Sequence, residues 1–161
     1  MEVITTLKYC KGLKYFINGF KDSQKEIQNF IFQCNKHENE DGYLKQSFFE
    51  KSAPDVAQSL LGKYLVRKIG NREIVAMVTE TEAYDGPHDK ASHASKGRTA
   101  RTEVMFGPAR HLCVYLCYGM HFMLNVVTGT KEYPAAVLIR GALRINDNHN
   151  HNDNHNRRYR H

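Results

Sequence analysis

The spacing of apolar residues changes character several times along the chain, and each change marks an element. After Ser52, the residues Val56, Ala57, Leu60 and Leu61 recur at helical spacing, with Ser52 as an N-cap hydroxyl, Pro54 in the first turn, Asp55 at N3 and Gly62 as the stop. A short helix is predicted between those caps. Residues 63–69 and 72–81 then alternate and are rich in β-branched side chains, and Gly70-Asn71 between them is a two-residue hairpin turn. The same pattern returns at 111–116 and 121–128, with Tyr118-Gly119 at the bend, and YPAAVLIR (133–140) predicts a further buried strand. Between these blocks, residues 82–107 dissolve into polar and turn residues, among them Gly86-Pro87, Lys96-Gly97-Arg98 and Gly107-Pro108. Irregular stretches of that length in a compact domain are often functional. The expected fold class is α+β, a single domain built on a mainly antiparallel, curved sheet with a β-hairpin and flanking short helices.

The two ends read differently from this centre. Residues 1–44 form a Lys- and Asn-rich extension in which Ile27, Phe30, Ile31 and Cys34 fall at i, i+3, i+4 and i+7, predicting an amphipathic helix after Ser23 that docks on the main domain. The polar run HENEDG (37–42) reads as a linker, and the main domain is expected over 45–145. From Asn146 to Asn156 every second residue is Asn, so 146–161 is expected to be a disordered Asn-, His- and Arg-rich tail unable to build a core. Its His149, His151, His155 and His161 lack a carboxylate or thiol at fixed spacing, and no metal site is expected there.

Composition narrows the class. With 161 residues, 41% hydrophobic and 11% aromatic, the chain can bury one sizeable core. It has no window of about 18 apolar residues and no uninterrupted apolar run at its start, so an intracellular protein without membrane contact is expected, nuclear in a eukaryote and cytoplasmic in a bacterium. Cys10, Cys34, Cys113 and Cys117 form no CxxC pair and no zinc spacing, and are expected to be thiols. A net charge of +6 favours an anionic partner, of which nucleic acid is the commonest inside cells.

The candidate chemistry gathers where the second predicted strand runs out. Glu80 and Glu82, two apart, share one face of that strand at its end, a suitable place for a catalytic carboxylate. Spacing alone explains them equally well as solvent-facing strand acids. Tyr84, His93, Tyr115 and Tyr118 accompany them in the sequence with Lys96, Arg98 and Arg101, combining stacking surfaces with phosphate-binding cations. Any one of these aromatics is equally a core residue.

Taken in order, TETEAY (79–84), Gly86-Pro87, Asp89, His93, GRTARTEVMFGPA (97–109), VYLCYGMHFMLNVVT (114–128) and PAAVLIR (134–140) carry more than composition. Over roughly residues 47–140 the chain resembles the alkyladenine DNA glycosylases, also called 3-methyladenine or N-methylpurine DNA glycosylases, of the mammalian type. The resemblance implies a monomeric, monofunctional enzyme of base excision repair that needs no metal, cofactor or covalent intermediate. Such an enzyme flips a damaged purine (3-methyladenine, 7-methylguanine, hypoxanthine) out of double-stranded DNA and hydrolyses its N-glycosidic bond to leave an abasic site. Bond cleavage builds positive charge on the deoxyribose, which a carboxylate stabilises while taking a proton from the attacking water. By the resemblance Glu82 is that general base. Tyr84, His93 and Tyr115 hold the flipped base, and Asn125 crowds the exocyclic amino group of normal guanine. Tyr118 is the wedge that fills the gap in the duplex, Arg140 lies near the active site, and Arg98 and Arg101 are further active-site or DNA contacts.

Three departures from the family pattern stand out. Arg110 replaces a glycine usual after the Gly-Pro turn, which costs about 1 kcal/mol or more if the position needs a positive φ. Cys113 replaces a tyrosine. The family also continues for some dozens of residues past the LIR strand, through a Gly-Pro-Lys/Arg-Leu helical region, where this chain has its Asn/His tail; on that ground the domain is expected to be truncated at its C-terminus. The alternative that follows is a catalytically inactive relative that binds DNA non-specifically.

Overall fold

The structure is a computed structural model, and it describes residues 30–34, 42–117 and 121–147. Its frame is one six-stranded antiparallel sheet: β1 (Phe30–Gln33), β2 (Tyr64–Ile69), β3 (Arg72–Asp85), β4 (Leu112–Cys117), β5 (His121–Thr128) and β6 (Ala135–Asp147), arranged in the order β1-β2-β3-β6-β5-β4. With two short helices, α1 (Gln46–Phe49) and α2 (Ala53–Leu60), it is an α+β domain.

Helix α2 starts as its sequence dictates. The Ser52 hydroxyl accepts a hydrogen bond from the Asp55 amide (3.4 Å), and Pro54 occupies the first turn, where a missing N–H costs nothing. Gly62 just beyond the end adopts φ +75°, and its amide bonds to the Val78 carbonyl (2.9 Å), turning the chain directly into β2. The apolar stripe Ala53, Val56, Ala57 and Leu60 is buried against one face of the sheet, among Leu65, Val78, Val126, Val137 and Ile139. Thr81 ties the two layers together: its hydroxyl donates to the Ala57 carbonyl (2.9 Å) near the helix C-terminus, where intrahelical partners run out.

The central strands are longer than predicted. β3 continues past Thr81 to Asp85, and β6 past Arg140 to Asp147, because the two pair with each other from Ile74↔Asp147 to Asp85↔Ala135. The ladder holds polar residues such as Glu80, Glu82 and Arg140 extended where their own propensities would not. Asn146 and Asp147, assigned to the tail by composition, belong to this strand; the remainder of the tail lies outside the described residues.

The helix predicted through Ile27, Phe30, Ile31 and Cys34 is corrected by β1. Phe30 and Phe32 are buried while Ile31 between them is half-buried, and the segment pairs with β2 from Phe30↔Arg67 to Gln33↔Tyr64. Aromatic and β-branched residues suit a pleated edge, and pairing with β2 outweighs a helical spacing of four apolar positions. The first half of the predicted helix and most of HENEDG lie outside the described residues.

The segment after β3 is irregular but tightly pinned. Asp89 accepts from the amides of Ala91 (2.9 Å) and Asp85 (3.3 Å), leading into a 3₁₀ turn at His93–Lys96 whose flanking Ser92 and Ala94 are buried. Thr99 and Thr102 bond to each other's backbone amides (3.2 and 2.9 Å), setting up a second 3₁₀ turn at Glu103–Phe106. Arg110 then takes φ +76°, the left-handed conformation for which a glycine is suited, while its amide bonds to the Val127 carbonyl (2.9 Å).

Candidate active site

Strand register places the candidate residues before any side chain is considered. Glu82 pairs with Leu138, Leu138 with Asn125, and Asn125 with Cys113, so one row crosses β3, β6, β5 and β4. Residues directly opposite in antiparallel strands share a face. Tyr84 lies two residues along β3, and the Tyr115↔Met123 pair two residues along β4 and β5, on the same side. The opposite side carries Thr81, Val126, Val137 and Ile139 against helix α2. One face of the sheet therefore makes the core and the other the floor of a cleft.

That cleft holds a cavity of about 120 Å³. Its floor is Leu138, Asn125, Cys113 and Met123, its walls include Tyr84 and Tyr115, and the pinned loop covers it with Ser92, His93, Arg101, Thr102 and Met105. The rings of His93 and Tyr115 are 4.6 Å apart between centroids at an angle of 44°, and the Arg101 guanidinium carbon lies 4.0 Å from the Tyr115 ring centre. The Asn125 side-chain amide donates to the backbone carbonyls of Met123 (3.1 Å) and Cys113 (3.4 Å), which fixes its orientation in the floor. Burial pushes the Cys113 thiol above its ordinary pKa, so it is a neutral thiol at physiological pH.

Glu82 stands beside the cavity rather than in its lining. Its carboxylate accepts from Nη1 of Arg140 and from the phenol of Tyr84, which does line the cavity. The Tyr84 phenol is pushed up to about 12, first by burial and then by its bond to Glu82 and the charge there, so it remains a proton donor to the carboxylate. Arg140 also pairs with Glu80, Nε to Oε1 at 3.5 Å. This reach comes from two compensating β-bulges. Between Thr81↔Ile139 and Glu80↔Gly141, Arg140 has no partner on β3; between Glu80↔Gly141 and Val78↔Ala142, Thr79 has none on β6. The bulges re-aim Arg140 and then restore the register. Gly141 is needed between them, since a Cβ there would lie 2.9 Å from Oγ1 of Thr79 and 3.1 Å from Cβ of Glu80.

Seven of the nine residues to which the resemblance assigns a role thus fall together: Glu82, Tyr84, His93, Tyr115, Asn125 and Arg140, with Arg101 at the cavity. Arg98 does not. It bonds to Glu132 (2.5 Å), approaches Glu103 (3.6 Å) and lies 4.5 Å from the Phe106 ring centre, which ties the loop to the β5–β6 connection. Tyr118 lies outside the described residues. Sequence reasoning missed Leu138, Met123 and Cys113 as floor residues, although alternation outward from Asn125 and register with Glu82 would have found them; for Ser92, Thr102 and Met105, brought in by the loop, no periodic signal exists. Among the described residues no cluster of His, Cys, Asp and Glu could hold a metal ion, and no helix is long and apolar enough to cross a membrane.

In chemical terms, a paired carboxylate next to a cleft walled by aromatic rings and a guanidinium is an arrangement able to stack a flat, electron-poor heterocycle and to offer a base beside it. The sequence comparisons make that class specific. A model of the methylpurine-DNA glycosylase family matches residues 47–161, and the chain belongs to that family. It is 53% identical over 97 residues to a protein of Methanocella arvoryzae, covering 60% of this chain and 48% of that one. Over 97 residues it is 52% identical to a protein of Legionella pneumophila strain Lens (60% and 53% covered), and over 98 residues 53% identical to one of Myxococcus xanthus (61% and 50%). All three carry the name "Putative 3-methyladenine DNA glycosylase". The chain spans about half the length of the curated relatives it matches.

Proposed function

We propose that this chain carries the base pocket and the catalytic carboxylate of a monofunctional DNA glycosylase that removes alkylated or deaminated purines from double-stranded DNA as a monomer. The observation that carries the reading is Glu82, held by Arg140 and Tyr84 at the rim of a cavity lined by Tyr84, His93, Tyr115 and Asn125. A flipped purine enters between the aromatic walls and meets Asn125 in the floor, leaving its deoxyribose toward Glu82. Water attacks C1′ as the C1′–N bond breaks. The bonding pair leaves with the purine, and the water proton passes to Glu82, whose negative charge has stabilised the developing oxocarbenium ion. Alkylation at N3 or N7 makes the purine cationic, so it departs without a strong acid. Arg140 and Tyr84 fix the carboxylate's orientation, and the protein's positive charge attracts the phosphate backbone.

The test is a single-turnover reaction of the purified chain with duplexes holding one hypoxanthine, one 7-methylguanine or no lesion, scored by release of free base and by strand breakage in alkali. Lesion-dependent release is expected. Absence of release from folded protein that still binds duplex in a salt-sensitive, lesion-indifferent way would replace the catalytic reading with one of DNA binding alone.

A further inference from the structure

The place over Tyr115 where a purine would stack is already taken. The Arg101 guanidinium, planar and cationic, lies 4.0 Å from the ring centre, and the His93 ring lies 4.6 Å away. Two planar groups cannot share the space over one ring, so a purine approaching Tyr115 from the side of Arg101 must displace the guanidinium. Of the two neighbours, Arg101 is the one able to leave. Both side chains are exposed, but His93 is short and sits on a turn between buried Ser92 and Ala94, whereas Arg101 carries its charge on a long flexible stem.

We propose that Arg101 is a placeholder for the flipped base, and that it makes the pocket select purines delivered on a polyanion over free purine bases. The inference rests on the glycosylase reading of the same cleft. A free purine base must displace the guanidinium from Tyr115 and offers it nothing in exchange. A purine arriving on DNA brings phosphates, which take the displaced guanidinium in charge-assisted hydrogen bonds. Arg101 is thereby a specificity-determining residue acting on the carrier of the base rather than on its ring. A guanidinium–aromatic contact is worth enough to weaken free-base binding about threefold to thirtyfold.

The experiment measures the affinity of free 7-methylguanine by calorimetric titration, and of an undamaged duplex by fluorescence anisotropy, for the parent chain, Arg101→Ala and Arg101→Lys. Far-UV circular dichroism melts establish that each variant is folded. Free-base binding should tighten about threefold to thirtyfold in Arg101→Ala and by less, in the same direction, in Arg101→Lys, whose hydrated point charge stacks poorly. Duplex binding should weaken in Arg101→Ala and stay within about twofold in Arg101→Lys, which keeps the charge. Free-base affinity that is unchanged, weakened or undetectable in Arg101→Ala would overturn the proposal. Because free-base titration involves no bond cleavage, failure of the parent chain to release lesions would sink the glycosylase reading without bearing on this result.

Discussion

On the proposed mechanism, replacing Glu82 by Gln should separate catalysis from stability, and the contacts of the side chain set the size of the stability effect. Gln keeps the shape of the side chain and an acceptor oxygen, so both Arg140 and the Tyr84 phenol retain a hydrogen-bond partner. What disappears is a negative charge in a pair whose side chains are 25% and 37% exposed. An ion pair that open to water is worth at most about 1 kcal/mol, and Arg140 still has Glu80 at 3.5 Å. At roughly 4–8 °C per kcal/mol for a domain of about 100 residues, the melting temperature should fall by less than about 8 °C. The loss of rate is of another order. Gln cannot accept a proton from water, and removing a positioned general base costs about 10²- to 10⁴-fold. The assay is single-turnover release of hypoxanthine and 7-methylguanine from duplex DNA beside a thermal melt of the same preparations. A variant within about threefold of the parent rate would refute the assignment of Glu82, and a variant that has lost its cooperative melt would refute the claim that its partners are held by geometry rather than by charge.

Three further outcomes follow from individual contacts. Thr81→Val leaves the Ala57 carbonyl without its sheet-side donor and should cost about 1–2 kcal/mol in chemical denaturation, with excision of lesions unaffected in the folded protein. Arg110→Gly removes a non-glycine residue from φ +76°; relief of about 1–2 kcal/mol outweighs the entropy glycine adds to the unfolded chain, so the urea midpoint should rise by the equivalent of about 0.5–1 kcal/mol. Tyr84 has a folded pKa raised to about 12, so it favours folding fully below pH 10 and that contribution is lost as pH rises through about 12. Stability of the parent chain should therefore fall more steeply across that window than that of Tyr84→Phe, and parallel slopes in pH-dependent urea melts would contradict the bond to Glu82.

How far the sequence exposed this arrangement depends on which physical signal each part uses. Helix α2 and the β2–β3 hairpin were legible because their signals are local: a cap, a stripe and a Gly-Asn turn in which Gly70 does take φ +57°. The lengths of β3 and β6 were not, since their polar halves are held extended by each other rather than by their own composition. β1 was read as a helix because four apolar residues fit two periods, and only the presence of β2 beside it decides between them. In the site, the family motifs brought forward Glu82, Tyr84, His93, Tyr115, Asn125 and Arg140. The pairing of Arg140 with both acids was hidden, because it depends on where the ladder slips by one residue, and nothing in the sequence of Ile139 or Arg140 marks the slip. Arg98 lies apart from the cavity, where it pairs with Glu132 and Glu103 and holds the loop, contacts that its motif does not announce.

The division of the sheet into a packed face and a cleft face explains why polar residues can be concentrated on two central strands. β3 and β6 are anchored from behind by Val78, Val137, Ile139 and Ala142, all buried, so the opposite face contributes little to the core. Glu80, Glu82 and Arg140 can then meet at a pair of bulges without the strands losing register, because the shift introduced at Arg140 is reversed at Thr79 before the next core residue, Val78, is reached. A single uncompensated bulge would have turned every later residue of one strand to the wrong face, exposing Val78 and Ala76 and burying their polar neighbours. The reversal restores the register on either side of the stretch that carries Glu80 and Glu82, with one further shift beyond it between Val75↔Asn146 and Ala76↔Arg144, and it is the reason a charged cluster and a continuous hydrophobic core coexist one residue apart on the same strand.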